Sequence, residues 1–199
     1  MSVCFFDVNE RLVGGLEVLF PGWKGEDERI CVYSPHDDDA IIGAGYVMRA
    51  ALGSGAEVHV IIACDGACGY STPEEREGIV ERRRRETLDC YRTFGIPEKN
   101  VMFLSYPDFS AIQYVGRVLD PSHEGHFRTT ITELRKRRIT RILAPNHYHE
   151  HIDHLRRSSW RHTTHLKRGT SILLTGRPPI PLEALRSIRS GQRWIRRTR

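Results

Sequence analysis

The chain has 199 residues, 39% of them hydrophobic and 28% charged, which allows one ordinary domain with a real core and excludes disorder throughout. Its formal charge of +5 is spread unevenly: residues 1–154 carry 18 Lys and Arg against 24 Asp and Glu, whereas residues 155–199 carry 12 against 1. The body is acidic, so whole-chain charge does not argue for a polyanion ligand of that body.

The 29 N-terminal residues precede the first clear strand; "FDVNERLVGGLEVLFPGW" offers an extra hairpin or edge element and no evident chemistry. Ile30 to Ser34 is short, apolar and β-branched, bounded by turn residues, and reads as a buried strand. "PHDDD" follows it. Ala40 to Leu52 is long enough for a helix. Glu57 to Ala63 is a second strand, followed by "CDG" (Cys64 to Gly66). Pro73 to Phe94 predicts one helix, with Ser71 or Thr72 as N-cap, proline in the first turn, acids beside the positive dipole end and a stop at Gly95. Val101 to Tyr106 is a third strand, Glu124 to Arg138 a third helix and Thr140 to Pro145 a fourth strand, followed by "NHYHEHIDH" (Asn146 to His154).

Strands alternating with helices of this length predict an α/β fold: a Rossmann-like, mostly parallel sheet with helices on both faces. Ligands of such sheets bind beyond the carboxyl ends of the strands. "PHDDD", "CDG" and the histidine-rich run therefore converge on one sheet edge from distant parts of the chain.

Three adjacent carboxylates repel one another, and either open solvent or a cation relieves the repulsion. Imidazole and carboxylate are ordinary ligands of zinc or another divalent metal, and catalytic zinc keeps three protein ligands with a fourth position open. His36 and Asp39 can face one site from a single turn, completed by a histidine from the run after the fourth strand. The plain alternative is that the aspartates cap the following helix and the histidines are solvated. His147 and His149 offer competing ligand sets.

The pattern resembles the zinc-dependent PIG-L/LmbE-like N-acetylglucosamine deacetylases, whose signature is H-P-D-D-E followed by G-x-G and later H-x-D-H. Here the first motif stands as His36-Asp37-Asp38-Asp39-Ala40 with Gly43-Ala44-Gly45, and the second as His151-Ile152-Asp153-His154. "CDG" resembles the family's T-D-G turn, and Arg83-x-x-Glu86 followed by "CYRTFG" resembles its R-x-x-E and LG helix. The resemblance covers about residues 28–154. Asp37 stands where the family has proline and Ala40 where it has glutamate.

The resemblance implies that His36, Asp39 and His154 hold zinc, or another divalent metal, and that Asp38 is the general base. It implies that His151 polarises the amide carbonyl while Asp153 orients the His151 imidazole. The expected reaction is hydrolysis of a linear amide: attack of a zinc-bound water removes acetyl from an N-acetylglucosamine-like conjugate. The expected partner is thus a small amino-sugar conjugate rather than nucleic acid. Arg83 is a candidate contact to the sugar or its anionic aglycone, with a solvated helix face as its alternative. Asp37 is expected to cap the helix or lie at the surface. Asp65 is expected either to brace the site or simply to form the turn before Gly66.

Five cysteines (Cys4, Cys31, Cys64, Cys68, Cys90) lack C-x-x-C pairing, which argues against a disulfide framework and a cysteine-type zinc site. No run approaches the roughly 18 apolar residues of a membrane span, and no secretory start is evident. A cytoplasmic location is expected.

The organisation expected is an N-terminal extension (1–29), a deacetylase domain (30–154) and a basic, atypical tail (155–199). That tail is arginine-rich and breaks with the family's usual continuation, so the C-terminal part of the fold is expected to be incomplete. A shifted reading frame is one account. Trp160 to Gly169 can be encoded so that a shift of one base yields MASYDTPQAG, similar to the "Y-D-x-P-Q-x-G-D" of some relatives. The alternative function is then a truncated or frameshifted inactive homologue that binds polyanions through its basic tail.

Overall fold

The computed structural model describes residues 5–6, 12–111, 126–145 and 171–175. In chain order the strands and α-helices are β1 (Phe5–Phe6), β2 (Leu12–Gly14), β3 (Arg29–Ser34), α1 (Asp39–Gly53), β4 (Glu57–Cys64), α2 (Ile79–Phe94), β5 (Val101–Tyr106), α3 (His126–Lys136), β6 (Arg141–Pro145) and β7 (Ser171–Thr175). Strands β1 and β2 pair antiparallel, so the N-terminal segment supplies the extra hairpin that its sequence allows.

The main sheet has the order β5-β4-β3-β6-β7, with every adjacent pair parallel. This is the expected Rossmann-like α/β arrangement. Its central strands are buried almost end to end, as strands covered on both faces must be. Alternation then divides the side chains. Ile30, Val32, Val58, Val60 and Ile62 pack with Ala40, Ala44, Met48 and Ala51 of α1 and Tyr91 of α2. Cys31, Tyr33, Ile61, Ala63, Ile142 and Ala144 pack on the other face with Ile131 and Leu134 of α3. The buried residues of α1 recur at helical spacing and are mostly alanine, so the helix axis can lie close to the sheet.

Two expectations change. The segment Pro73 to Phe94 is not one helix: a short 3-10 turn at Pro73–Arg76 is separated from α2 by Gly78, whose φ of 78° no continuous helix accommodates. Glu75 accepts hydrogen bonds from the backbone N–H groups of Ser71 and Thr72, which ties down that turn. The sheet also takes a fifth strand, β7, from the arginine-rich segment, where the sequence had signalled none. "SILLT" is a short apolar run embedded in polar text, and its register with β6 from Arg141↔Ser171 to Pro145↔Thr175 is fixed by pairing.

At the edge remote from the clusters, the buried carboxylate of Glu28 is gripped by both ends of the Arg141 guanidinium, at 3.1 and 2.8 Å, and receives the Thr140 hydroxyl at 2.5 Å. This fixes the starts of β3 and β6 side by side. No disulfide joins Cys31, Cys64, Cys68 or Cys90. Burial pushes the Cys31 thiol up to about 12, which makes it an inert core residue. Among the described residues no helix is long and apolar enough to cross a membrane.

Candidate active site

The chain runs outward from β3 through β4 to β5 and then returns to place β6 on the other side of β3. The switch point of the sheet therefore lies between β3 and β6, which pair from Ile30↔Arg141 to Val32↔Leu143. Crevices form at such points because the connections on either side leave in opposite directions. "PHDDD" leaves β3 at this point.

Ser34, fully buried, organises the turn. Its hydroxyl donates to the His36 carbonyl at 2.5 Å and accepts from the Ala40 N–H at 2.9 Å, clasping the loop to the first turn of α1. The Cys64 N–H donates to the Pro35 carbonyl at 2.9 Å, so the end of β4 supports the same loop. Asp39 bends back: its Oδ2 accepts the His36 N–H at 2.9 Å and lies 3.3 Å from His36 Nδ1. Asp38 occupies the N-cap position of α1 without a side-chain capping bond. It is exposed and lines a cleft of about 340 Å³ together with His36, Asp39, Arg83, Asp108 and Phe109. The helix-capping account of these aspartates is not what the side chains do.

Asp37 overturns its expectation. Rather than capping α1 or facing solvent, its carboxylate is turned inward against the Arg83 guanidinium, and Thr87 Oγ1 lies 3.4 Å away. Tyr91, whose hydroxyl donates to the Asp37 carbonyl at 3.5 Å, has its pKa raised by burial and by the negative charge nearby.

Arg83 is not on a solvated helix face. The Asp37 hydrogen bond raises its pKa against the opposing effect of desolvation. The side chain lies under the turn after β4: a Cβ added at Gly66 or Gly69 would meet it at 2.9 or 2.5 Å. Its neighbours in the arginine run diverge, since Arg82 pairs with Glu75 at 3.3 Å, and Arg84 bonds Ser105 at 3.1 Å with its guanidinium over Phe103.

Asp65 makes the turn: its Oδ1 accepts the Ala67 N–H at 3.0 Å. The brace comes instead from Asp108, which no motif in the sequence marks. Its carboxylate accepts the N–H groups of Gly66 at 3.1 Å and Cys68 at 2.8 Å. The available signal was position alone, an aspartate two residues past the end of β5 on the edge where ligands bind. Ser34 carried a similar signal as the last residue of β3.

The structure thus brings His36, Asp38, Asp39 and Arg83 to one cleft. His151, Asp153 and His154, with the competing His147 and His149, lie outside the described residues. The donors that are described suit a divalent ion: a tetrahedral site with bonds of about 2.0 Å has ligand edges of roughly 3.3 Å, and the His36 Nδ1 to Asp39 Oδ2 separation is 3.3 Å.

Among solved structures, the N,N'-diacetylchitobiose deacetylase of Pyrococcus horikoshii, complexed with an inhibitor, aligns at TM-score 0.53 and 24% identity over 65% of this chain and 46% of its own. The 4-carboxy-2-hydroxymuconate hydratase of Pseudomonas putida aligns at 0.52 and 19%, over 67% and 55%. The zinc-inhibited form of teicoplanin deacetylase aligns at 0.53 and 19%, over 82% and 71%. The chain spans about half the length of the first two. At such identities the likeness is one of fold, and deacetylases and a hydratase share it. No curated protein is detectably similar in sequence. The profile of the family described as PIG-L, GlcNAc-PI de-N-acetylase, matches residues 31–160. That span holds both histidine-aspartate motifs, most of β3 and all of β4, β5 and β6, and the chain belongs to the PIG-L family.

Proposed function

We propose that residues 30–154 form a metal-dependent N-deacetylase that hydrolyses the acetamide of an N-acetylglucosamine-like conjugate. The observation that carries this reading is the pairing of His36 with Asp39 at the switch point, beside an exposed Asp38 at the mouth of the cleft. His36, Asp39 and His154 would hold a zinc ion, or another divalent metal, which supplies Lewis acidity and brings the pKa of water down to about 7.

The chain's own residues would do the rest. Asp38, free of a capping bond, accepts a proton from water and returns it to the nitrogen as the C–N bond breaks, leaving acetate and an amine. His151, oriented by Asp153, donates to the carbonyl oxygen as negative charge develops there. Arg83 lines the cleft wall and offers positive charge to an anionic part of the conjugate.

Metal content and acetate release from a panel of N-acetylglucosaminyl conjugates test this reading. His36→Ala is expected to lose bound zinc, and Asp39→Ala to lose the zinc that supports acetate release. Asp38→Asn is expected to keep it while turnover drops about 10²- to 10⁴-fold. Folded protein that binds no stoichiometric metal would overturn the reading.

A further inference from the structure

His36, Cys64 and Asp108 come from three different connections at the same sheet edge: the turn after β3, the end of β4 and the loop after β5. Each offers one donor atom, and the three atoms all lie within 4.8 Å of one another. Two belong to residues fixed by backbone bonds. Cys64 is 3% exposed, with its N–H held by Pro35. Asp108 is anchored by Gly66 and Cys68, each taking one lone pair of a different carboxylate oxygen, so both oxygens keep acceptor capacity.

A buried cysteine is ordinarily a small hydrophobe among apolar neighbours. Cys64 belongs to the apolar cluster on the α3 face of the sheet, yet its sulfur also has an imidazole nitrogen and a carboxylate oxygen within 4.8 Å, a combination that divalent borderline-soft ions favour. We infer that His36, Cys64 and Asp108 form a sulfur-bearing site for a thiophilic divalent cation, distinct from the nitrogen-and-oxygen set of His36 and Asp39. A tetrahedral site with bonds of about 2.0–2.3 Å has edges of roughly 3.3–3.8 Å. Donors at the full 4.8 Å would have to close by about 1 Å. Rotation of the His36 imidazole would close that distance, since Cys64 is held by the sheet and Asp108 by its two backbone bonds. The shared imidazole makes the two sets compete for one side chain.

Cobalt(II) titration of the full chain tests the inference. The wild-type protein is expected to bind cobalt with a near-ultraviolet thiolate-to-metal charge-transfer band. Asp39→Asn should retain the band, Cys64→Ser should lose it, and Asp108→Asn should weaken binding by about tenfold or more. Stoichiometric cobalt without the band in wild type, or a band that survives in Cys64→Ser, overturns the proposal while leaving the deacetylase reading intact. Failure to bind any cobalt overturns both. Should Cys64→Ser fail to fold, cadmium-113 resonance on wild-type protein decides: a shift in the thiolate range supports the site, and one confined to nitrogen and oxygen ligation sinks it.

Discussion

The carboxylate of Asp37 is ion-paired to the guanidinium of Arg83, which lies 46 residues further along the chain. This contact joins the turn that carries His36 and Asp39 to α2. The family's pattern has proline at the position of Asp37, so the link belongs to this chain's own sequence. Removing the acid leaves a partly buried cation without its partner. Asp37→Ala is therefore expected to lower stability by about 1–3 kcal/mol, read from urea unfolding. A double-mutant cycle with Arg83→Ala should return a favourable coupling of about 0.5–3 kcal/mol. A coupling of zero would mean that the contact contributes nothing.

Ser34 shapes the turn that carries the proposed ligands His36 and Asp39 without touching a proposed donor atom. Its hydroxyl bridges the His36 carbonyl and the Ala40 N–H inside a fully buried site. Ser34→Ala leaves that buried N–H without its hydroxyl partner, for a cost of about 1–3 kcal/mol. Zinc affinity, measured by competition with a chromophoric chelator, should weaken as the loop loosens. Unchanged affinity would show that the loop holds its shape without the clasp.

The two glycines packed against Arg83 are separable by background. A Cβ at Gly69 would stand 2.5 Å from Arg83 Nη1, so Gly69→Ala must displace the guanidinium. Gly66→Ala meets Arg83 at 2.9 Å and also holds alanine at a φ of +74°, a backbone cost of about 1–2 kcal/mol. In an Arg83→Ala background, Gly69→Ala should become nearly neutral in thermal unfolding, whereas Gly66→Ala keeps its backbone penalty. Equal penalties for Gly69→Ala in both backgrounds would refute the steric account.

Acid sensitivity should trace partly to Glu28. Burial opposes its ionisation, but the Arg141 fork and the Thr140 hydroxyl outweigh that and hold the carboxyl below its ordinary 4.5. A carboxylate whose folded pKa is depressed adds stability above its unfolded value, and this is lost as pH falls through the folded value. Glu28→Gln should therefore flatten the loss of stability between about pH 5 and pH 3. Glu28→Ala, which strands Arg141 in a buried site, should cost about 3–5 kcal/mol near neutrality. Denaturant unfolding at a series of pH values checks both, and parallel pH slopes for wild type and Glu28→Gln would contradict the assignment.

Local pattern was enough to place β3, β4, β5 and β6, because buried parallel strands write themselves as short continuous apolar runs. It was enough, too, to put His36, Asp38 and Asp39 on a ligand-bearing edge, since strand polarity alone dictates which end of a parallel sheet binds. The break at Gly78 escaped notice because one glycine near the start of a long polar helix is locally ambiguous. Strand β7 escaped because three apolar residues between Ser171 and Thr175 gain their meaning only from the edge of β6 that they pair with.

What the sequence by itself determined was the alternation of strands and helices and the chemistry-bearing residues on the turn after β3, because these depend on neighbours within a few positions. What only the tertiary structure decided was which groups meet: Asp37 with Arg83, Asp108 with the turn after β4, and Cys64 with His36 and Asp108. Contacts across 28 to 46 residues depend on strand order and on the hand of the crossovers, and no short window of sequence records either.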